Sequence, residues 1–79
     1  MKLIIIDSKG ESNAINIMES DPVSELRNQI KRKFNIQDNI ELVFNGTIIE
    51  DNDNLAELEI KDGMTINMVG EFKAGLNKL

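Results

Sequence analysis

The sequence contains no cysteine, histidine, tryptophan or tyrosine among its 79 residues. Without cysteine, neither disulfides nor a thiol nucleophile is available. Without histidine, the commonest general base at neutral pH and the commonest neutral metal ligand are missing. Enzymatic chemistry would depend on carboxylates alone, and carboxylates without a pocket or a base amount to surface charge. The composition therefore predicts a protein that is not an enzyme and that uses no metal or other cofactor.

Positive charge and long apolar runs are also scarce. The chain has 9 lysines and arginines against 14 aspartates and glutamates, a formal net charge of −5. An acidic surface repels phosphate backbones and anionic lipids, so we expect no nucleic acid partner and no membrane partner. The apolar run that opens the chain stops at Asp7, short of a signal peptide. We expect a soluble monomer of the cytoplasm or nucleus, with proteins as partners.

The region after Asp21-Pro22 has the pattern of an amphipathic helix. Aspartate can accept hydrogen bonds from the free amides of a first turn, and proline suits the first helical position because its missing N–H costs nothing there. The apolar residues that follow at spacings of three and four are Val23, Leu26, Ile30 and Phe34. Together they predict a helix of about twelve to fourteen residues with one apolar stripe.

The end of this helix is marked by charge and by an asparagine. The basic residues 31–33 fall in the last turn, where cations offset the negative end of the helix dipole. A nucleic-acid site is the other interpretation of this cluster, and an acidic chain without interleaved aromatics disfavours it. Asn35 is predicted to end the helix in the left-handed conformation.

Two hairpins are predicted, one before and one after the helix in the sequence. Residues 2–6 and 13–18 alternate in polarity around a turn at residues 8–10, as in strands with one face on a core. The second hairpin has Asn45-Gly46 between two short apolar runs. Asn-Gly is the strongest short-range signal for a tight hairpin turn, because both residues tolerate positive φ.

A short helical turn and a closing strand complete the pattern. Residues 55–60 form the turn and residues 65–69 alternate again. We therefore predict an α+β fold, a mixed sheet of about five strands with one face under one main helix. The predicted core consists of Leu3, Ile5, Ile15, Ile17, Val23, Leu26, Ile30, Leu42, Ile49, Leu55, Ile60, Ile66 and Met68.

Taken together, these elements resemble the ubiquitin family, from residue 1 to about residue 75, with one residue deleted within residues 37–39. Agreement is strongest at Leu42-Val43-Phe44-Asn45-Gly46, Ile49-Glu50-Asp51, Leu55 and Ile60. The resemblance implies a β-grasp (ubiquitin-like) domain at residues 1–70, followed by a flexible C-terminal tail at residues 71–79.

Ubiquitin-like proteins are recognised mainly through an apolar patch on the sheet face opposite the helix. The resemblance implies a receptor-binding patch formed by Val43, Val69, Gly46, Asn67, Ser8 and Ile4. Val43 takes the central place, whereas Ser8 and Asn67 stand where ubiquitin has an apolar residue and a histidine. The implied partners are protein receptors that present apolar helices or loops. The plainer alternative is that Val43 and Val69 are ordinary outward strand residues.

The residues around this patch depart from ubiquitin. Glu41 and Glu71 stand where ubiquitin has arginines, so acidic partners would be repelled and partners with basic residues favoured. Thr47 and Asp62 replace lysines that ubiquitin uses for chains, which disfavours polymeric signalling through those positions.

The tail leaves two functions open. In register with ubiquitin, Ala74-Gly75 occupies the terminal Gly-Gly position, which implies a protein modifier processed after Gly75 by dedicated activating and conjugating enzymes. Alternatively, Gly70 and Gly75 belong to a frayed end or a linker. The chain is then a non-conjugated docking domain from a longer protein, which binds for example the proteasome or a ubiquitin receptor.

Two further interpretations are disfavoured. A sulfur carrier of the same fold would need a free terminal glycine, and Leu79 blocks it without processing. The acidic run at residues 50–54 suggests a calcium loop, but Leu55 falls at a ligand position, Ala56 at the glycine position and Asp62 where a bidentate glutamate is expected. A solvated turn explains that run better.

Overall fold

A computed structural model describes residues 1–70, and residues 71–79 lie outside the described part of the chain. The flexible tail and the processing site at Ala74 and Gly75 therefore stay predictions. The elements are β1 (Lys2–Ile6), β2 (Ser12–Asn16), α1 (Val23–Phe34), β3 (Ile40–Phe44), β4 (Thr47–Ile49) and β5 (Thr65–Gly70).

The strands form one five-stranded mixed sheet in the order β2-β1-β5-β3-β4. β1 pairs antiparallel with β2, and β3 pairs antiparallel with β4, as two hairpins. β5 joins them at the centre, parallel to β1 and antiparallel to β3. The predicted α+β, β-grasp fold is confirmed.

The core forms between α1 and one face of the sheet. All thirteen predicted core residues are buried, and Ile40 is buried with them. Ile40 was not predicted, although it is two residues from Leu42 and must therefore share its side of β3. Phe34, the last residue of the helical stripe, is only partly buried at the edge of this cluster.

The start of α1 differs from the prediction. Pro22 is the N-cap residue and no side chain caps the helix, whereas the carboxylate of Asp21 accepts a hydrogen bond from the amide of Met18 at 3.1 Å. The amide of Val23 instead donates to the carbonyl of Asp53 at 2.9 Å, and that of Ser24 to the carbonyl of Asp51 at 3.2 Å. A loop distant in sequence satisfies the free amides, so local capping is not needed.

The end of α1 and the hairpin turn follow the predictions. Asn35 has φ 57° and ψ 48°, and its neighbour Ile36 donates its amide to the carbonyl of Lys31 at 2.9 Å. Asn45 and Gly46 have φ 56° and 81°, the positive values that a tight two-residue hairpin turn requires. The 12 residues of α1 are neither long nor apolar enough to cross a membrane.

The predicted helical turn before β5 is a single turn. The amide of Leu58 donates to the carbonyl of Asn54 at 3.0 Å, and that of Ile60 donates to the carbonyl of Leu55 at 3.0 Å. Glu59, between Leu58 and Ile60, has φ 61°. This is the pattern by which a helix closes on a left-handed residue, most often glycine. The turn buries Leu55 and Ile60 in the core.

Candidate recognition surface on the sheet

The candidate surface is the face of the sheet turned away from α1. Successive side chains of a strand point to opposite faces. Leu42 of β3 and Ile66 of β5 are fully buried in the cluster that contains the helix residues. Their neighbours Val43 and Asn67 therefore point outward. The patch residues predicted on the strands lie on this outer face.

Strand register aligns one outward residue from each strand. Residues paired across neighbouring strands lie side by side on the same face. The pairs Ser12↔Ile6, Ile6↔Asn67, Asn67↔Val43 and Val43↔Ile48 follow one another across the whole sheet. We call these five residues the central row. It spans about 19 Å at the usual spacing of about 4.8 Å between strands.

The most accessible apolar residue of the central row is Ile48, which is 55% exposed. Val69, next to the row on β5, is 38% exposed, while Val43 and Ile6 are half-buried. Ile48 was missed in the predicted patch. The outward position of Ile48 could have been predicted from the sequence, since Ile49 was assigned to the core and the residue before it must then face outward.

A polar strip divides the apolar part of this surface. Thr65 and Asn67 are exposed on β5, between the isoleucines of β1 and Val43 of β3. Ile4 is paired with Thr65 and lies on the β1 side of this strip. An amide side chain covered by a partner needs a hydrogen bond, because an unpaired buried polar group is destabilising. Asn67 therefore favours partners that bring a polar group to the middle of the contact.

Two predicted patch residues lie in turns. Gly46 is in the turn between β3 and β4, exposed, and close in sequence to Val43. Ser8 lies in the turn after β1, two residues after Ile6 of the central row. It lines a shallow hollow together with Phe34, Ile36 and Met68. Since Met68 belongs to the core face, the hollow opens at the edge between sheet and helix, away from Val43.

Acidic residues border the surface on the β3–β4 side. Glu41 is exposed and paired with Val69, so its carboxylate is carried beside that side chain. A shallow groove at this edge is lined by Arg27, Glu41, Ile48, Ile49, Glu50, Asp51 and Asn52. The guanidinium of Arg27 is engaged within the fold, with Nε 2.6 Å from Oδ1 of Asp51. The rim is therefore acidic next to exposed apolar area.

The acidic side chains after β4 interact with the loop backbone and with Arg27. The carboxylate of Asp53 accepts a hydrogen bond from the amide of Glu50 at 2.8 Å, and Asp51 is paired with Arg27. These contacts are those of a solvated turn. Over residues 1–70, no three acidic side chains are grouped closely enough to hold a metal ion.

Comparisons with known proteins agree with this fold. The sequence model of the Ubiquitin family matches residues 4–73. The chain belongs to the ubiquitin family. This ubiquitin-family chain is 33% identical over 67 residues to ubiquilin-4 of Mus musculus, a match that covers 84% of the chain. Ubiquilin-4 of Homo sapiens matches with the same identity and coverage. The match spans only 11% of each of these much longer proteins.

Proposed function

We propose that this ubiquitin-family chain is a non-enzymatic docking domain of the cytoplasm or nucleus that binds other proteins through the outer face of its sheet. The observation that carries the proposal is the central row, in which Val43 and Ile48 are adjacent and Val69 lies beside them. Apolar side chains on a rigid sheet, bordered by polar residues, are typical of sites that accept an apolar helix or loop.

The comparisons support a docking domain from a longer protein more than a modifier. The two ubiquilin-4 proteins contain the matching segment as 11% of their length. A segment that remains part of such a long chain can act by binding without being joined to other proteins. The same arrangement is proposed here, with partners such as the proteasome or ubiquitin receptors.

The test is a titration of the isotopically labelled chain with an apolar helical receptor peptide, followed by NMR. The amide signals of Val43, Gly46, Asn67 and Val69 are expected to move first. Val43→Ser should weaken binding about tenfold or more, because it removes apolar contact at the centre of the surface. Asn28→Ser, an exposed change on α1, is the matched control and should have no effect. Signal changes confined to residues 24–32 of α1 would refute the proposal.

The second candidate is a protein modifier processed after Gly75. Its support is the register of Ala74-Gly75 with the Gly-Gly end of ubiquitin, in a part of the chain outside the described residues. Glycine suits such an end because it has no side chain to obstruct narrow enzyme channels. The intact mass of the protein from its native cells decides this point. Loss of residues 76–79, or Gly75 joined to a lysine of another protein, supports the modifier, and a longer unprocessed polypeptide excludes it.

A further inference from the structure

The chemistry of the partner follows from the β3–β4 side of the outer face, where exposed apolar area and acidic charge meet. Ile48 is 55% exposed, more than any other large apolar side chain described on the sheet. It lies opposite Val43 in the hairpin. The apolar area available for burial is therefore greatest at this side and smaller around Ile4 and Ile6, which are half-buried.

Two acidic side chains beside this area have no basic partner among residues 1–70. Among residues 1–70, the ion pairs join Arg27 to Asp51 and Arg32 to Glu25. Glu41 and Glu50 are exposed and have no ion-pair partner within that range. Glu41 lies next to Val69 on the neighbouring strand, and Glu50 follows β4 directly after Ile49. A partner that covers Ile48 and Val69 brings its own charges close to both carboxylates.

We infer that the partner is an amphipathic helix with lysine or arginine beside its apolar stripe, and that it covers Val43, Ile48 and Val69. Side chains four residues apart on a helix are separated by about 6 Å along its axis. Strands are separated by about 4.8 Å. A helix laid across β5, β3 and β4 can therefore place successive apolar residues on successive strands. This inference rests on the proposed docking function and adds the position and charge of the partner.

Basic residues suit this place in two ways. The aliphatic stem of a lysine or arginine can lie on Ile48 while its charged end reaches the carboxylates. Acidic residues at the same helix positions would be repelled, so the charge selects among partners that share an apolar stripe.

The experiment uses three synthetic helical peptides of about 18 residues that share one leucine stripe and differ only in the flanking residues, which are lysine, glutamine or glutamate. Affinity for the full 79-residue chain is measured by NMR titration at low and high salt. The lysine peptide is expected to bind about tenfold tighter than the glutamate peptide at low salt. The difference should shrink at high salt, because salt screens exposed charges.

Charge-reversing variants locate the effect. Glu41→Arg should reverse the preference between the lysine and glutamate peptides. Glu57→Arg changes the net charge equally at an exposed position of the turn before β5, outside the sheet, and should leave the preference as it is. Equal affinity of all three peptides for the Val43 surface would overturn this inference and leave the docking function standing. Binding of the lysine peptide with no signal changes at Ile48 and Val69 would also overturn it. Absence of binding by every peptide would contradict the docking function itself.

Discussion

The guanidinium of Arg27 on α1 lies 2.6 Å from the carboxylate of Asp51 in the loop after β4. The same guanidinium donates a hydrogen bond to the main-chain carbonyl of Ile40 at the start of β3. The Arg27 side chain is 18% exposed, whereas that of Asp51 is 59% exposed. One arginine therefore joins the helix, the acidic loop and the third strand, and its hydrogen bond to Ile40 is the better shielded contact.

Arg27→Met should lower the free energy of unfolding by about 1–3 kcal/mol, because it leaves the Ile40 carbonyl without this donor. Asp51→Asn should cost less than about 1 kcal/mol, since the carboxylate is largely exposed and such ion pairs contribute little. Urea denaturation of both variants measures the difference. Equal losses would show that the ion pair, and not the carbonyl contact, is the stabilising interaction.

Leu42 and Ile48 provide a comparison of the two faces of one hairpin. Leu42 is fully buried and Ile48 is 55% exposed. Leu42→Ala should lower the free energy of unfolding by about 2–5 kcal/mol, the usual range for deleting a buried leucine side chain. Ile48→Ala should change it by about 0.5 kcal/mol or less, yet weaken peptide binding. Chemical denaturation together with the NMR titration separates these effects. A large stability loss in Ile48→Ala would place that side chain in the core.

Glu59 has φ 61°, a conformation that costs a residue with a β-carbon roughly 1 kcal/mol or more. Glu59→Gly should therefore raise the free energy of unfolding by about 0.5–1 kcal/mol, after the added entropy of the unfolded chain is subtracted. Glu57→Gly, in the same turn without that constraint, should lower it. The midpoints of urea denaturation of the two variants should move in opposite directions. A shift of both midpoints in one direction would contradict this account.

Asn67 separates two apolar areas on the outer face. Asn67→Ile would join Ile6, Val43 and Ile48 into one continuous apolar row, and large exposed apolar patches promote association. The variant is expected to self-associate at concentrations where the parent chain sediments as a monomer. Analytical ultracentrifugation over a concentration series measures this, with Asn67→Gln as the polar control. A monomeric Asn67→Ile variant would show that the row alone does not drive association.

The sequence was sufficient to predict the fold, because each local signal agreed with the others. The alternation of Leu3 and Ile5, the stripe through Leu26 and Ile30, and the turn at Asn45 each predicted the element that is present. Hydrophobic period and turn chemistry are properties of neighbouring residues, so they can be seen without the structure.

Features that depend on distant contacts could not be predicted in this way. Asp21 has the chemistry of a helix cap, but carbonyls of Asp51 and Asp53 take that role, and their position depends on how the loop after β4 folds back. The candidate surface was predicted in part. Val43 and Val69 follow from the family resemblance, whereas their alignment with Ile48 depends on strand register.

The central row draws a single residue from each strand, and none of the five contributes a buried side chain to the core. Its composition is thus less constrained by folding than that of the buried face. Over evolutionary time, such a row can diverge one position at a time, with each substitution altering which proteins are bound while the scaffold persists. Members of one lineage could then acquire separate sets of receptors without passing through an unfolded ancestor.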